Sequence, residues 1–99
     1  MAKRKIVWSN VARIKLFNIL EFYAQRNRSK AYAAKLHLRF NKELKVLLRH
    51  PEIGLKTEVE GVRGLIVEDY ILFYEYANET LIVHTLWDCH QNPADLRIK

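Results

Sequence analysis

The chain opens on a short apolar alternation and then changes period twice. Lys5-Ile6-Val7-Trp8 predicts a first strand. Ser9 or Asn10 can cap the helix that follows, because either side-chain oxygen accepts from an early helix N–H. From Val11 to about Gln25, residues Ala12, Leu16, Ile19, Leu20 and Tyr23 fall on one helical face. Arg26-Asn27-Arg28 interrupts the pattern without an apolar residue. Ser29 is placed to cap a second helix, running to about Arg49. Its stripe is Ala33, Leu36, Phe40, Leu44, Leu47 and Leu48. The short gap predicts an antiparallel helix hairpin.

His50-Pro51 ends the second helix, since the residue before proline is pushed out of the α region. Pro51-Glu52-Ile53-Gly54 is expected to be a loop. The period then drops to two, and Arg63–Glu68, Tyr70–Tyr76 and Thr80–Trp87 become strand candidates. Their short connections favour an antiparallel meander. Asn92-Pro93 ends the last strand, and Ala94–Ile98 is a short terminal helix or tail. The order β-α-α-β-β-β predicts an α+β fold: an antiparallel four-stranded sheet packed on an N-terminal helix hairpin. The helices should cover one sheet face and leave the other, concave, for a site.

Composition keeps this picture to one domain covering residues 1–99. The chain has 99 residues, 49% of them hydrophobic, which is globular rather than disordered. No apolar run approaches the ~20 residues of a membrane helix. Met1-Ala2-Lys3-Arg4-Lys5 has no signal-peptide apolar region behind it, because Asn10 and Arg13 interrupt too soon. Cys89 stands alone, so no intramolecular disulfide forms, and a cytoplasmic protein is the simplest expectation.

Charge adds a polarity that the elements do not. Residues 1–50 hold 13 lysines and arginines against Glu21 and Glu43, while residues 51–99 hold 4 against nine carboxylates. The first half should therefore build a basic surface, fit for RNA or an acidic protein, or else simply a solvated face. On the second helix Lys35, Arg39, Lys42 and Arg49 share one side, opposite the apolar stripe.

Several segments together resemble the RelE/ParE superfamily of type II toxins. They are His50-Pro51-Glu52-Ile53-Gly54, then Val62-Arg63-Gly64-Leu65-Ile66-Val67, then Tyr70-Ile71-Leu72-Phe73-Tyr74. They match a helix ending in a proline–glycine turn, an arginine opening the next strand, and a tyrosine-flanked strand after it. Leu81–Trp87 followed by Asp88-Cys89-His90-Gln91-Asn92-Pro93 is similar to the last strand and its "H-x-R-x-x-P" tail. Asp88 and His90 stand where that tail has histidine and arginine. The resemblance covers nearly the whole chain. It implies a cognate antitoxin, a hetero-oligomer with it, no membrane and no cofactor. It also implies a target: the ribosome and its mRNA for RelE-like members, or DNA gyrase for ParE-like members, which are not nucleases. A degenerate toxin that keeps only antitoxin binding is a third alternative.

A RelE-like nuclease, the first of these expectations, activates a ribose 2′-OH against its neighbouring phosphate. That reaction needs a base, an acid and cations for the developing charge. Arg63, matched to the strand-opening arginine, is the candidate for charge stabilisation, since its fork holds two phosphate oxygens. A salt bridge to Glu58 or Glu60, or an antitoxin contact, is its other reading. Lys56 would steady phosphate, or be a solvated loop residue. His90 would serve as acid or base, with Asp88 orienting it or acting as base; otherwise both belong to a polar capped turn. Tyr74, alternating with Tyr70 and Tyr76, either stacks on an RNA base or is a core aromatic. Lys35, Arg39, Lys42 and Arg49 would hold RNA phosphates or receive an acidic antitoxin segment. His84, taken to share a face with Ile82 and Leu86, is expected to be buried or antitoxin-facing.

Other chemistries lack their residues. His37, His50, His84 and His90 show no paired ligand spacing, and Cys89-His90 has no second pair, so no metal is expected. With three glycines there is no phosphate-binding loop. No serine sits in a nucleophile elbow.

Overall fold

The computed structural model describes residues 4–26 and 30–91. The elements in chain order are β1 (Lys5–Trp8), α1 (Asn10–Arg26), α2 (Lys30–Arg49), β2 (Leu55–Lys56), β3 (Val62–Val67), β4 (Tyr70–Ala77) and β5 (Thr80–Asp88). The Ser29 cap and the 94–98 tail fall outside the described residues. Among those residues, no helix is long and apolar enough to cross a membrane.

Ser9 takes the capping role. Its Oγ accepts from the Ala12 N–H at 3.0 Å and donates to the His84 carbonyl at 2.7 Å. One hydroxyl thus starts α1 and ties that start to β5. The two helix stripes do what their spacing predicts. Ala33, Leu36, Phe40, Leu44 and Leu47 of α2 are buried. Ala12 joins them from α1, with Leu16, Ile19, Leu20 and Tyr23 packed alongside. They close on one sheet face through Val67, Tyr70, Leu72, Tyr74, Leu81, Val83 and Leu86.

The sheet differs from expectation. It has five strands in the order β1-β5-β4-β3-β2, and β1 runs parallel to β5. The four-stranded antiparallel sheet is corrected on two counts. The helix hairpin carries the chain from β1 to the far edge of the sheet, and the strands that follow return β5 to its side, a parallel pairing that no local pattern announces. The extra strand, β2, has two residues, too few to display a period of two. It pairs Leu55 with Gly64 and Lys56 with Arg63.

Two two-residue turns join the meander. Val67 pairs with Tyr70 around Glu68-Asp69, and Ala77 pairs with Thr80 around Asn78-Glu79. Asn78 and Glu79 both take positive φ, 51° and 62°, the backbone of the turn whose twist matches the strands. Between β4 and β5 the register slips at Phe73/Tyr74: Phe73 faces Thr85 and Tyr74 faces Val83. The extra residue, His84, reverses the alternation along β5. Leu81, Val83 and Leu86 all reach the helix side. Leu86 therefore does not share a face with Ile82 and His84. The opposite face holds a smaller cluster of Val62, Phe73 and Trp87, edged by Val59 and Ile71.

Phe40 sits at the middle of the α2 stripe with no exposed surface, against Tyr70. Phe40→Ala should cost about 3–5 kcal/mol, read as a lowered midpoint in urea. Burial pushes the Tyr70 phenol well above its ordinary 10.0, and its hydrogen bond to Tyr23 adds to this. Burial also raises Tyr74, against the lowering effect of the Gly54 amide and Arg63. The folded state favours the neutral phenols. Their stabilisation is complete below pH 10 and drains away as pH climbs through and beyond that value. Thermal melts across pH 8–12 should show a falling midpoint that a Tyr70→Phe variant flattens.

Candidate functional site

Helix α2 stops at Arg49, and residues 50–54 fold back onto the helix side of the sheet. The lock on this turn is Tyr74. Its hydroxyl donates to the Pro51 carbonyl at 2.6 Å and accepts from the Gly54 N–H at 2.9 Å. The approach is so close that a Cβ on Gly54 would lie 2.5 Å from that oxygen. Glycine is needed here for space. Arg63, paired with Tyr74 across the β3–β4 ladder, adds a second lock. Its Nη1 donates to the Gly54 carbonyl at 2.8 Å and the Glu52 carbonyl at 3.2 Å.

Around this turn opens a cleft of about 370 Å³. Its cations are Arg63, Arg49 at the end of α2 and Arg4 just before β1. Arg4 donates to the Leu48 carbonyl and lies over the Tyr76 ring, 5.6 Å from its centroid. Glu52 also lines the cleft. Among the described residues, no carboxylate lies within 4.0 Å of the three guanidinium groups. No histidine lines the cleft either, although His50 adjoins it in sequence.

The cleft therefore lies on the side of the sheet that the helices cover, at the end where α2 stops, and not on the opposite face. Alternation along β3 explains this. Leu65 and Val67 pack into the main core, and Arg63 follows their parity.

The predicted site residues do not converge. Arg63 and Arg49 meet in the cleft, and Lys56 is exposed directly across from Arg63. Tyr74 lines the cleft but is only 1% exposed, with its hydroxyl committed twice, so it offers no face to an RNA base. The core-aromatic alternative describes it. Lys35, Arg39 and Lys42 lie farther up α2 and line a second groove of about 420 Å³ with Tyr32, Leu38 and Glu68. Arg39 there pairs with Glu43 at 3.5 Å and Glu68 at 3.3 Å.

Asp88 and His90 stand apart. Asp88 pairs with Tyr70, at the far end of β4 from Tyr74. Through Tyr74, Arg63 lies level with Val83, five residues back along β5, which is roughly 15 Å at a strand's rise per residue. One phosphate cannot be shared across that separation. Asp88 Oδ1 instead accepts from the His90 backbone N–H at 2.8 Å and lies 3.0 Å from its Nδ1. The His90 side chain is 75% exposed. These are the contacts of a capped polar turn. His84 is on the sheet face away from the helices, 2.8 Å from Glu75 Oε1. Among the described residues, no group of three metal-ligating side chains forms.

Sequence reasoning missed Arg4. Nothing in its local pattern points to Arg49, 45 residues on; only the parallel β1–β5 pairing carries it there.

The family model for the ParE toxin of the type II toxin–antitoxin system parDE matches residues 6–93. The chain belongs to the ParE toxin family. Among solved structures, this ParE-family toxin is similar to one described as the chromosomal ParDE TA system from P. aeruginosa. The TM-score is 0.72 at 19% identity, over 86% of this chain and 95% of that one. It is also similar to the YoeB dimer from Staphylococcus aureus, with a TM-score of 0.58 at 18% identity, over 91% of this chain and all of that one. At such identities the likeness is one of fold. No curated protein matches the toxin.

Tyr74→Phe should leave Pro51 O and Gly54 N–H without their shared partner and destabilise the toxin by about 1–3 kcal/mol. His90→Ala, at an exposed turn, should stay within about 0.5 kcal/mol of the parent. Paired urea titrations check both; equal effects would contradict the roles given to these side chains.

Proposed function

We propose that this toxin acts by binding, as a non-enzymatic inhibitor of DNA gyrase neutralised by a cognate antitoxin in a hetero-oligomer. The observation that carries the reading is the separation of Arg63 from Asp88 and His90. Cleavage through a 2′-OH needs a base and an acid at the same phosphate as the cation. The cleft's cations are guanidinium groups, which neither take nor give a proton near neutrality, and Glu52, its one carboxylate among the described residues, has no imidazole beside it in the lining to complete an acid–base pair. Its phenol, Tyr74, is held neutral by burial, and its hydroxyl is already engaged at both ends. Membership of the ParE family, whose members are gyrase poisons, supports the same choice.

The antitoxin has a natural approach. Val11, Ile14, Phe17 and Phe22 leave α1 with exposed apolar surface. Basic residues flank it, which suits an acidic amphipathic segment.

A ribosome-dependent nuclease remains the second reading, because three arginines with no carboxylate partner among the described residues suit an RNA phosphate. One pair of assays separates them. The purified toxin is added to gyrase with relaxed plasmid, and to a translating extract with a defined mRNA followed by primer extension. Loss of supercoiling with intact mRNA is expected. New mRNA ends that require engaged ribosomes, with gyrase unaffected, would overturn the proposal.

A further inference from the structure

We infer that the cleft framed by Arg4, Arg49 and Arg63 is a binding site for the phosphodiester backbone of duplex DNA. The cleft brings together three permanent positive charges. They converge from three separate parts of the chain: the residue before β1, the last turn of α2, and the start of β3. Among the described residues none has a carboxylate partner. Backbone carbonyls account for where Arg4 and Arg63 sit, but like charges repel, and an external anion is what would balance three of them around one opening. Two of the three groups are already held. Arg63 is fixed by the Glu52 and Gly54 carbonyls and Arg4 by the Leu48 carbonyl. A carbonyl orients a guanidinium without cancelling its charge, and the remaining N–H groups stay matched to phosphate oxygens.

The surroundings favour a polymer over a single small anion. Lys56 extends the charge from Arg63 along the β2 edge. Along α2, Lys35, Arg39, Lys42 and Arg49 share a face, and Lys35 to Arg49 spans about 21 Å at the helical rise. That is roughly six steps of a DNA strand. Arg39 interrupts the track, since Glu43 and Glu68 partly neutralise it. Single strands are bound by stacking bases on open aromatic faces. The cleft has none to give: Tyr74 is buried, and Arg4 occupies a face of Tyr76. A duplex keeps its bases stacked and presents backbone alone, which is what this cleft is fitted to meet. The site stands on the arginines by themselves. Its use against the DNA that gyrase holds rests on the function proposed above.

The test is fluorescence anisotropy of a labelled 20-base-pair duplex with the full chain, across 50–200 mM salt. Arg49→Gln is the lead variant, since Arg49 is exposed and its removal leaves the turn locks intact. An Arg4→Gln/Arg49→Gln pair follows, with circular dichroism to check the fold. Each substitution should weaken binding about tenfold. Each should also make the log–log salt slope shallower by about 0.9. Arg39→Gln, already paired with two carboxylates, should move both quantities less. Absence of duplex binding at 50 mM salt, or an unchanged slope in the folded double variant, overturns the site. So does tighter binding of single-stranded RNA with the same arginine dependence. Failure of gyrase inhibition in the earlier assay, with duplex binding preserved, would count against the proposed target and leave this site standing.

Discussion

The turn from Pro51 to Gly54 depends on one buried hydroxyl. Tyr74 sits on β4, near the middle of the sheet, and its oxygen reaches out to both ends of that turn. Such a bridge satisfies two backbone groups that would otherwise be costly to bury. It also fixes where α2 may stop and where β2 begins. Three consequences follow in order. Gly54 must lack a side chain, or the hydroxyl could not come within reach. The Glu52 and Gly54 carbonyls then point toward Arg63. The guanidinium held by those carbonyls is brought level with Arg49 at the helix end. Core packing by Phe40, Leu44 and Leu47 supplies the stability. The hydroxyl supplies the geometry on which the cleft is built.

That geometry favours holding over reacting. A site for proton transfer sets groups with opposed protonation preferences within reach of each other. Here the imidazoles are dispersed. His84 is engaged with Glu75 on the far sheet face, and His90 sits in a turn capped by Asp88 just past the end of β5. What converges is charge that does not titrate in the physiological range. An arginine cluster of this kind attracts anions at any biological pH and loses them to salt.

Much of this was legible in the chain. The apolar stripes of α1 and α2 show through because a 3.6-residue period is a local property, and their core residues were read from it directly. The β3–β5 strands were equally plain from their period of two. Topology was less so. The parallel placement of β1 is a contact between segments more than 70 residues apart, and β2 is too short to carry a period. The slip at His84 is another case: one inserted residue reverses the facing of Leu86, and no composition marks it. At the site, the resemblance singled out Arg63 and charge patterning singled out Arg49. Arg4 was hidden because its neighbourhood is made by the β1–β5 pairing. Asp88 and His90 were drawn toward Arg63 by the chemistry they could share, while the length of β5 keeps them apart.

The same fold is found in the similar ParDE and YoeB structures. A fold alone does not choose a target. What can choose is which strand end gathers the functional groups. In this chain the end beside the α2 terminus gathers three arginines, backbone carbonyls and Glu52, and the other end gathers Asp88 and His90. At the turn itself Tyr74 leaves no space even for a Cβ on Gly54, so no side chain can be added there. Close packing at the turn thus fixes where Arg63 stands, and the opening beyond it sets three guanidinium groups beside the single carboxylate of Glu52 among the described residues.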